Sequence, residues 1–309
     1  MIDTIIPMLC KSVEWDVLCK VLEVLLVHDA DVHAVGDDGR TALMVAAKNG
    51  HTAIVALLLR HGARVDDSSP DGWTALKLSA LNGHTETVAL LLGHGVDPDC
   101  PGNDGWTPLL CAAGSGHTET AALLLDRGAG VDVADQRGET ALMLAARNGH
   151  TETAAMLLDR GANVNATMPW GGTALIITAV RGHTETAALL LDRGAKVDAA
   201  AKDGGTALMA AAGQGHVETA TLLLDRGANV NAADVNGDGV DDLTALLDAV
   251  FNGYTKMVEL LLNRGADVHA TDQHDRTALM LAIDKDHTEI VELLQKHASA
   301  PSHHLGQAR

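Results

Sequence analysis

The feature that most constrains the fold is a segment of about thirty residues that recurs along the chain. Its clearest copy, residues 139–166, reads ETALMLAARNGHTETAAMLLDRGANVNA. A threonine near the start of each copy returns every 33 residues, except across one gap of 38 residues. Its positions are Thr41, Thr74, Thr107, Thr140, Thr173, Thr206, Thr244 and Thr277. A fixed period of this length is typical of proteins built by stacking one small structural unit.

Each copy predicts two short helices. Leu142, Ala145 and Ala146 are spaced as residues on one face of a helix, and Asn148-Gly149 predicts its end. A second helix follows and is expected to end at Gly161, which tolerates a left-handed backbone. The residues expected to line its inner face are Ala154, Leu157 and Leu158. Such a pair is apolar on one side, so neighbouring copies must cover it.

The pattern resembles the ankyrin repeat, and the resemblance covers residues 34–298. It implies an all-α repeat solenoid in which each repeat has two antiparallel helices, a Gly-His pair between them and a β-hairpin finger. We expect about eight repeats plus N-terminal capping helices. The family often has a histidine three residues after the threonine. Here that position holds Met44, Lys77, Leu110, Met143, Ile176, Met209, Leu247 and Met280, so we expect apolar packing there instead.

The chain divides into three predicted segments. Residues 1–33 are apolar at helical spacing and end like a repeat, which indicates an N-terminal capping half-repeat. Residues 34–298 form the repeat array. Residues 299–309 are expected to be a disordered tail.

The net charge of −19 restricts the class of partner. An acidic surface without a basic stripe disfavours nucleic acid and anionic membranes. It favours another protein with a basic surface. The chain shows neither a transmembrane span nor a signal peptide, so a cytoplasmic location is expected. The cysteines have no metal-like spacing and are expected to be small buried hydrophobes: Cys10, Cys19, Cys100 and Cys111.

Histidines recur at one position of the repeat, as in His84, His117 and His150. Equivalent atoms of stacked helices lie about 8–10 Å apart, whereas zinc needs its ligands at about 2 Å. We therefore expect these histidines to make structural hydrogen bonds.

The one longer gap in the period holds the acidic segment DVNGDGVDD, residues 234–242. Calcium takes six to eight oxygen ligands at about 2.3–2.6 Å, and alternate residues of a tight loop can supply them. The segment resembles the calcium loop of integrin-type β-propeller repeats. The resemblance implies a Ca²⁺ site in the seventh repeat, with ligands Asp234, Asn236, Asp238, the carbonyl of Val240, and Asp242. The alternative is an acidic, solvated finger tip.

The family resemblance also implies where a partner binds, namely the finger tips and the ends of the first helices. Near the finger tips it selects Arg40, Trp73, Trp106 and Trp170. At the helix ends it selects Lys48, Leu81, Arg147, Arg181 and Phe251. We expect Trp73 and Trp106 to anchor a partner as a neighbouring pair, since Trp is a frequent interface anchor. The alternative is that each Trp packs on the next finger.

Asp248 replaces an apolar residue of the repeat, such as Val45, Leu78 or Leu144. We expect it to have a structural role, because a carboxylate near the core needs hydrogen bonds. The alternative is a supporting role beside the calcium loop.

These observations favour a non-catalytic protein-interaction scaffold with a calcium loop that stabilises one finger. The alternative is a calcium-dependent regulator of a partner protein. An enzyme is not expected, because every abundant Ser, His, Asp or Gly is explained by its place in the repeat.

Overall fold

The computed structural model of the chain describes residues 15–28, 30–233 and 243–299. These residues contain seventeen α-helices. Their bounds are α1 Trp15–Val27, α2 Ala42–Lys48, α3 Thr52–Arg60, α4 Ala75–Leu81, α5 Thr85–Gly93, α6 Pro108–Gly114, α7 Thr118–Asp126, α8 Ala141–Arg147, α9 Thr151–Asp159, α10 Ala174–Arg181, α11 Thr184–Asp192, α12 Ala207–Gly213, α13 Val217–Asp225, α14 Ala245–Phe251, α15 Thr255–Asn263, α16 Ala278–Asp284 and α17 Thr288–Ser299. None of the described helices has the length and apolarity that crossing a membrane requires.

The chain divides into two compact units, Met1–Asn163 (unit 1) and Val164–Arg309 (unit 2). In unit 1 the first helices of the repeats, α2, α4, α6 and α8, pack side by side, and α1, α3, α5, α7 and α9 form a second layer. In unit 2 the corresponding layers are α10, α12, α14 and α16, and α11, α13, α15 and α17. Each unit is thus an all-helical stack of two layers, as the repeat predicts.

The recurring threonine is the N-cap of every first helix. Its hydroxyl accepts a hydrogen bond from the backbone N–H three residues later, as between Thr140 and Met143 at 3.4 Å. The same bond joins Thr206 to Met209. A cap of this kind satisfies one of the unpaired N–H groups at a helix start. The strict period of the threonine therefore marks where each helix pair begins.

The first helices are buried more completely than their sequence pattern predicts. All six residues from Ala141 to Ala146 in α8 are buried, not only one face. The reason is that a first helix contacts neighbouring first helices as well as its own second helix. In α9, Ala154 and Leu157 are buried as predicted, whereas Leu158 is half-exposed.

Apolar packing replaces the family's histidine at most copies, as predicted. Met44, Leu110 and Met143 are buried at this position. Met280, in the last copy, is 52% exposed. Lys77 is the polar exception and is only 2% exposed; its ammonium group donates to the backbone oxygen of Gly72.

The fingers among the described residues contain tight turns. In the finger before α4, the amide of Ser69 donates to the oxygen of Trp73 at 2.9 Å, and the amide of Gly72 donates back to Ser69 at 2.8 Å. Gly72 has φ +80°, a left-handed conformation that suits glycine. The described residues contain isolated antiparallel bridges, such as Ser68 with Thr74, but no β-strand.

Three predicted features fall wholly or partly outside the described residues. The five calcium ligands, Asp234, Asn236, Asp238, Val240 and Asp242, all lie there. So do residues 1–14 of the N-terminal half-repeat and residues 300–309 of the tail. Within the described part of the half-repeat, α1 packs against α3.

Candidate functional site

Several of the recurring histidines link their repeat to the one before it. The Nε2 of His84 donates to the backbone oxygen of Lys48 at 3.0 Å, and that of His117 donates to Leu81 at 3.1 Å. In unit 2, His216 donates to Val180 at 3.1 Å. These bonds confirm the structural reading of the histidines. They also satisfy carbonyls at the ends of first helices, which have no partner within the helix.

Polar residues of the second helices also form contacts between successive repeats. The hydroxyls of Thr85 and Thr120 lie 2.7 Å apart on successive second helices. On the exposed side, Arg160 contacts Asp126 at 2.7 Å, an ion pair of small energetic value at the surface. Because these residues recur in copy after copy, they form a framework and carry little information about a specific partner.

Two positions differ strongly between copies. We call the residue just before the threonine the finger position, and the residue seven after it the helix-end position. The finger positions hold Arg40, Trp73, Trp106, Glu139, Gly172, Gly205, Leu243 and Arg276. The helix-end positions hold Lys48, Leu81, Gly114, Arg147, Val180, Gly213, Phe251 and Asp284. Most of the predicted partner-binding residues belong to these two sets.

In unit 1 the first fingers are partly covered. Arg40 lies 4.0 Å from carboxylate oxygens of both Asp38 and Asp71, and its side chain is 21% exposed. Trp73 and Trp106 are both half-buried. Both tryptophans therefore keep some accessible surface, and their role as a partner anchor stays a prediction.

Lys77 lies beneath the finger of Trp73. Its ammonium nitrogen is 5.8 Å from the centre of the Trp73 ring, within the range of a cation–π contact. Burial lowers the pKa of Lys77 below its ordinary value of 10.5, and the nearby Cys100, Cys111 and carboxylates only partly offset this. The second copy of the repeat thus contains a buried cation whose desolvation is unfavourable.

The cysteines around Lys77 are held in their thiol form. Burial raises the pKa of Cys111 to about 12 and also raises the pKa of Cys100. Cys111 is fully buried, as predicted, whereas Cys100 and Cys19 are only half-buried. Cys10 lies outside the described residues.

Arg147, a predicted partner-binding residue, has a partner within its own repeat. Its guanidinium contacts both carboxylate oxygens of Glu139, one of them through a hydrogen bond of 3.0 Å. The Glu139 side chain is only 3% exposed. A buried carboxylate requires such a cation, so Arg147 compensates Glu139 and is only secondarily available to a partner. The finger and helix-end positions of this copy are filled by one ion pair.

Unit 2 exposes more apolar surface at the predicted positions. Trp170 is 43% exposed and Phe251 is 45% exposed. The ammonium nitrogen of Lys285 lies 4.1 Å from the centre of the Phe251 ring. Arg181 is exposed at the end of α10. The remaining predicted residues in unit 1 are Lys48, which is exposed, and Leu81, which is half-exposed.

A groove of about 440 Å³ lies along the first helices of unit 2. Trp170 and the apolar side chains of Val180 and Met209 form part of its lining, and Asp203 and Asp248 add two carboxylates. Volumes of this order, roughly 300–1,000 Å³, are common for ligand sites. The groove joins exposed aromatic surface to negative charge.

Two glycines open this groove. Gly205 and Gly213, both lining it, occupy the finger and helix-end positions of one copy. The same positions two copies earlier hold Glu139 and Arg147, whose side chains fill the space. A Cβ on Gly213 would stand 3.8 Å from the carboxylate of Asp248, so no other group fills that place.

The Trp170 ring takes its position from another missing side chain. A Cβ on Gly172 would collide with the Cη2 atom of Trp170, which shows that the indole lies over this glycine. The backbone oxygen of Trp170 accepts a hydrogen bond from the amide of Lys202 at 2.9 Å, which ties the finger to the next one. The position of the indole that lines the groove therefore depends on the backbone at Gly172 and Lys202.

Sequence reasoning found the aromatic wall of this groove but missed its acidic floor. It selected Trp170 and interpreted Asp248 as structural, without placing this half-buried residue in the lining of the groove. The available signal was the coincidence of two glycines at the variable positions with an aspartate in the place of Leu144.

Comparison with known families agrees with the repeat. A family model described as ankyrin repeats, in three copies, matches residues 10–102, 94–168, 164–234 and 233–303. No curated protein matches the chain.

Proposed function

We propose that this chain, which belongs to the ankyrin repeat family, is a non-catalytic scaffold that binds another protein. The observation that carries the proposal is the family match, which extends through successive segments from residue 10 to residue 303. Ankyrin repeats generally serve as protein-interaction modules. The net charge of −19 supports a partner with a basic surface and disfavours nucleic acid and anionic membranes.

The division of labour among the residues supports a binding surface at the variable positions. Framework histidines and threonines already make hydrogen bonds between repeats. Phe251 and Trp170, by contrast, expose large apolar areas to solvent. Exposed aromatic residues of this kind often contribute most of the affinity at protein interfaces. The partner surface we propose therefore follows the finger tips and the helix ends.

Site-specific photo-cross-linking tests this surface. Phe251 is replaced by benzoylphenylalanine in cells of the source organism, and the control variant carries the same cross-linker at Glu218, an exposed residue of the second-helix layer. We expect one discrete protein adduct from position 251 and none from position 218. Equal labelling at the two positions, or no adduct at either, would contradict the proposal.

With the cross-linked partner identified, the predicted Trp73 and Trp106 anchor can be tested directly. Each Trp→Ala substitution is expected to weaken binding about fivefold or more, because truncating an interface tryptophan often costs above about 1 kcal/mol. A Leu158→Ala substitution at a half-exposed position of α9, in the second-helix layer, serves as a control outside the proposed surface. Unchanged affinity in both variants would restrict the surface to unit 2.

We further propose that residues 234–242 bind one Ca²⁺ and that the metal stabilises this finger. The support is the sequence pattern: carboxylates this closely spaced repel one another unless a cation compensates them. Calorimetry with Ca²⁺, and with Mg²⁺ as the control, is expected to show one site selective for Ca²⁺. Chelation is then expected to lower the melting temperature. An absence of bound calcium together with unchanged melting would rule this site out.

The second candidate function is calcium-dependent regulation of the partner. One observation favours it: Leu243, the residue directly after the proposed loop, lines the groove of unit 2. Partner affinity measured with and without chelator distinguishes the two candidates. A change of severalfold supports regulation, whereas equal affinities leave the loop a structural element.

A further inference from the structure

We propose that the groove of unit 2 binds the arginine side chain of a basic segment in the partner protein. This inference deepens the proposed function and rests on it. The groove combines an exposed indole, Trp170, with the carboxylates of Asp203 and Asp248 and an opening created by Gly205 and Gly213.

The protein itself shows what fits this place in the repeat. In unit 1 the helix-end residue is Arg147, and its guanidinium is bound by the carboxylate of the finger residue Glu139. In the unit 2 copy that contains α12 the same two positions are Gly205 and Gly213, so that copy supplies no side chain there. An incoming arginine would replace the side chain that Arg147 provides in the other copy. The carboxylates of Asp203 and Asp248 would replace that of Glu139.

The chemistry of the lining selects a guanidinium over an ammonium group. A guanidinium is planar, stacks on aromatic faces and donates two parallel hydrogen bonds to a carboxylate. Trp170 provides the aromatic face, and it is held over Gly172. Lysine offers a compact, strongly hydrated charge and gains less from an indole and carboxylate arranged in this way.

The groove is also suited to a segment of chain. Val180 is exposed and lines the groove together with Met209, and the polar side chains of Gln214 and Asn252 lie in the same lining. Apolar surface beside the carboxylates favours a partner whose arginine is flanked by apolar residues. The net charge of −19 additionally raises the rate at which a basic segment approaches.

The direct test uses three synthetic peptides and the full chain at constant calcium concentration. The peptides are Gly-Val-Gly-Xaa-Gly-Val-Gly with capped ends, in which Xaa is arginine, lysine or citrulline. Citrulline keeps the shape of arginine without its charge. Binding is followed by the NMR signal of the Trp170 indole N–H, assigned from a Trp170→Phe variant. We expect the arginine peptide to saturate with a Kd on the order of 1 mM, about tenfold tighter than citrulline and severalfold tighter than lysine.

A variant that fills the groove provides the structural control. Gly205→Glu together with Gly213→Arg installs the ion pair of unit 1. Neither glycine has a positive φ, and the added Cβ atoms meet only Asp203 at 3.2 Å and Asp248 at 3.8 Å. This variant should fold and lose at least tenfold in affinity for the arginine peptide. Gly114→Arg, at the helix-end position of unit 1, is the matched variant expected to leave affinity unchanged.

Asp248→Asn separates charge from shape. It is expected to reduce arginine binding about tenfold and to weaken the dependence of affinity on salt, while citrulline binding stays the same.

Equal affinity for arginine and citrulline, stronger binding of lysine, or undiminished binding by the filled variant would each overturn the arginine assignment. If position 251 cross-links a partner while the arginine peptide fails to bind, this inference fails and the scaffold function stands. If arginine binds but no partner is cross-linked, the scaffold proposal fails instead.

Discussion

Helices α8 of unit 1 and α12 of unit 2 occupy the same place in two copies of the repeat, but their surroundings differ. Beside α8 the variable positions hold Glu139 and Arg147, which form a partly buried ion pair. Beside α12 they hold Gly205 and Gly213, and a groove lies open. Both helices nevertheless start from a threonine cap with nearly the same geometry. The framework fixes the backbone, so the variable positions are free to be filled or empty.

The residue facing the helix end differs in the same way. Gly114 of unit 1 faces Leu144, and Gly213 of unit 2 faces Asp248, at hypothetical Cβ distances of 3.7 and 3.8 Å. One contact is apolar and the other is acidic, although the glycines are equivalent. One difference in the next copy, Leu144 against Asp248, therefore replaces an apolar contact by a carboxylate. The following predictions test how far this difference determines stability.

The largest effect is expected from Leu144→Asp, which gives unit 1 the acidic residue of unit 2. Leu144 is only 2% exposed, so the variant loses apolar burial and places a carboxylate in the core. We expect the free energy of unfolding in urea to fall by about 4 kcal/mol. The reciprocal Asp248→Leu is expected to be neutral or mildly stabilising. Similar losses in the two variants would mean that the sites do not differ in burial.

The next effect is expected from Arg147→Met, which leaves the buried carboxylate of Glu139 without its cation. The free energy of unfolding should fall by about 3 kcal/mol, because an uncompensated buried charge is strongly destabilising. Adding Glu139→Gly, which introduces the residue type found at Gly205 in the copy of α12, should restore most of the loss. A double variant as unstable as the single one would show that the pair contributes by packing alone.

A smaller, pH-dependent effect is expected from Lys77→Met, which introduces the residue type that unit 2 carries at Met209. We expect a gain of about 1 kcal/mol at neutral pH, since the variant removes a desolvated cation. Burial lowers the pKa of Lys77 from 10.5, so the unfolded chain binds more protons between the two pKa values. The stability of the natural protein therefore rises with pH in that window.

The advantage of Lys77→Met should accordingly shrink as the pH approaches 10.5. Urea titrations of both proteins at several pH values measure this difference. An advantage that stays constant with pH would show that Lys77 titrates normally in the folded state.

The smallest effect is expected from Gly213→Ala and its matched variant Gly114→Ala. Both added methyl groups would lie at ordinary contact distances, and neither glycine needs a left-handed backbone. Each substitution should stabilise its unit by about 0.5 kcal/mol through helix propensity. A loss at position 213 alone would show that the groove does not have room for the added methyl group.

Local sequence patterns were sufficient to predict the helix pairs. The second helix of the clearest copy was expected to end at Gly161, and α9 ends at Asp159 with Gly161 at φ +89°. The histidine bonds were predicted as well, because the period places a histidine at the same position of most copies. Helix bounds and the histidine bonds depend only on residues of one copy and its neighbour, so the repeated sequence is enough to predict them.

The exceptions depend on residues that are distant in sequence. The groove requires Trp170, Gly213 and Asp248 together, and no window of one repeat contains all three. The sequence assigned Arg147 to the partner surface, whereas in the structure it contacts Glu139 of its own repeat. The burial of Lys77 likewise depends on the finger above it. Whether a variable residue is buried, paired or exposed therefore depends on the size and charge of the residues at neighbouring variable positions.

The antiparallel bridge at the base of a finger has a practical consequence. Ser68 pairs with Thr74 in one copy, and Ala233 pairs with Thr244 in another, although five more residues separate the second pair. The base of the turn thus closes in both copies, although the second has five more residues between the paired positions. The tip of a finger is therefore a suitable site for inserting a foreign peptide without changing the stacking of the repeats.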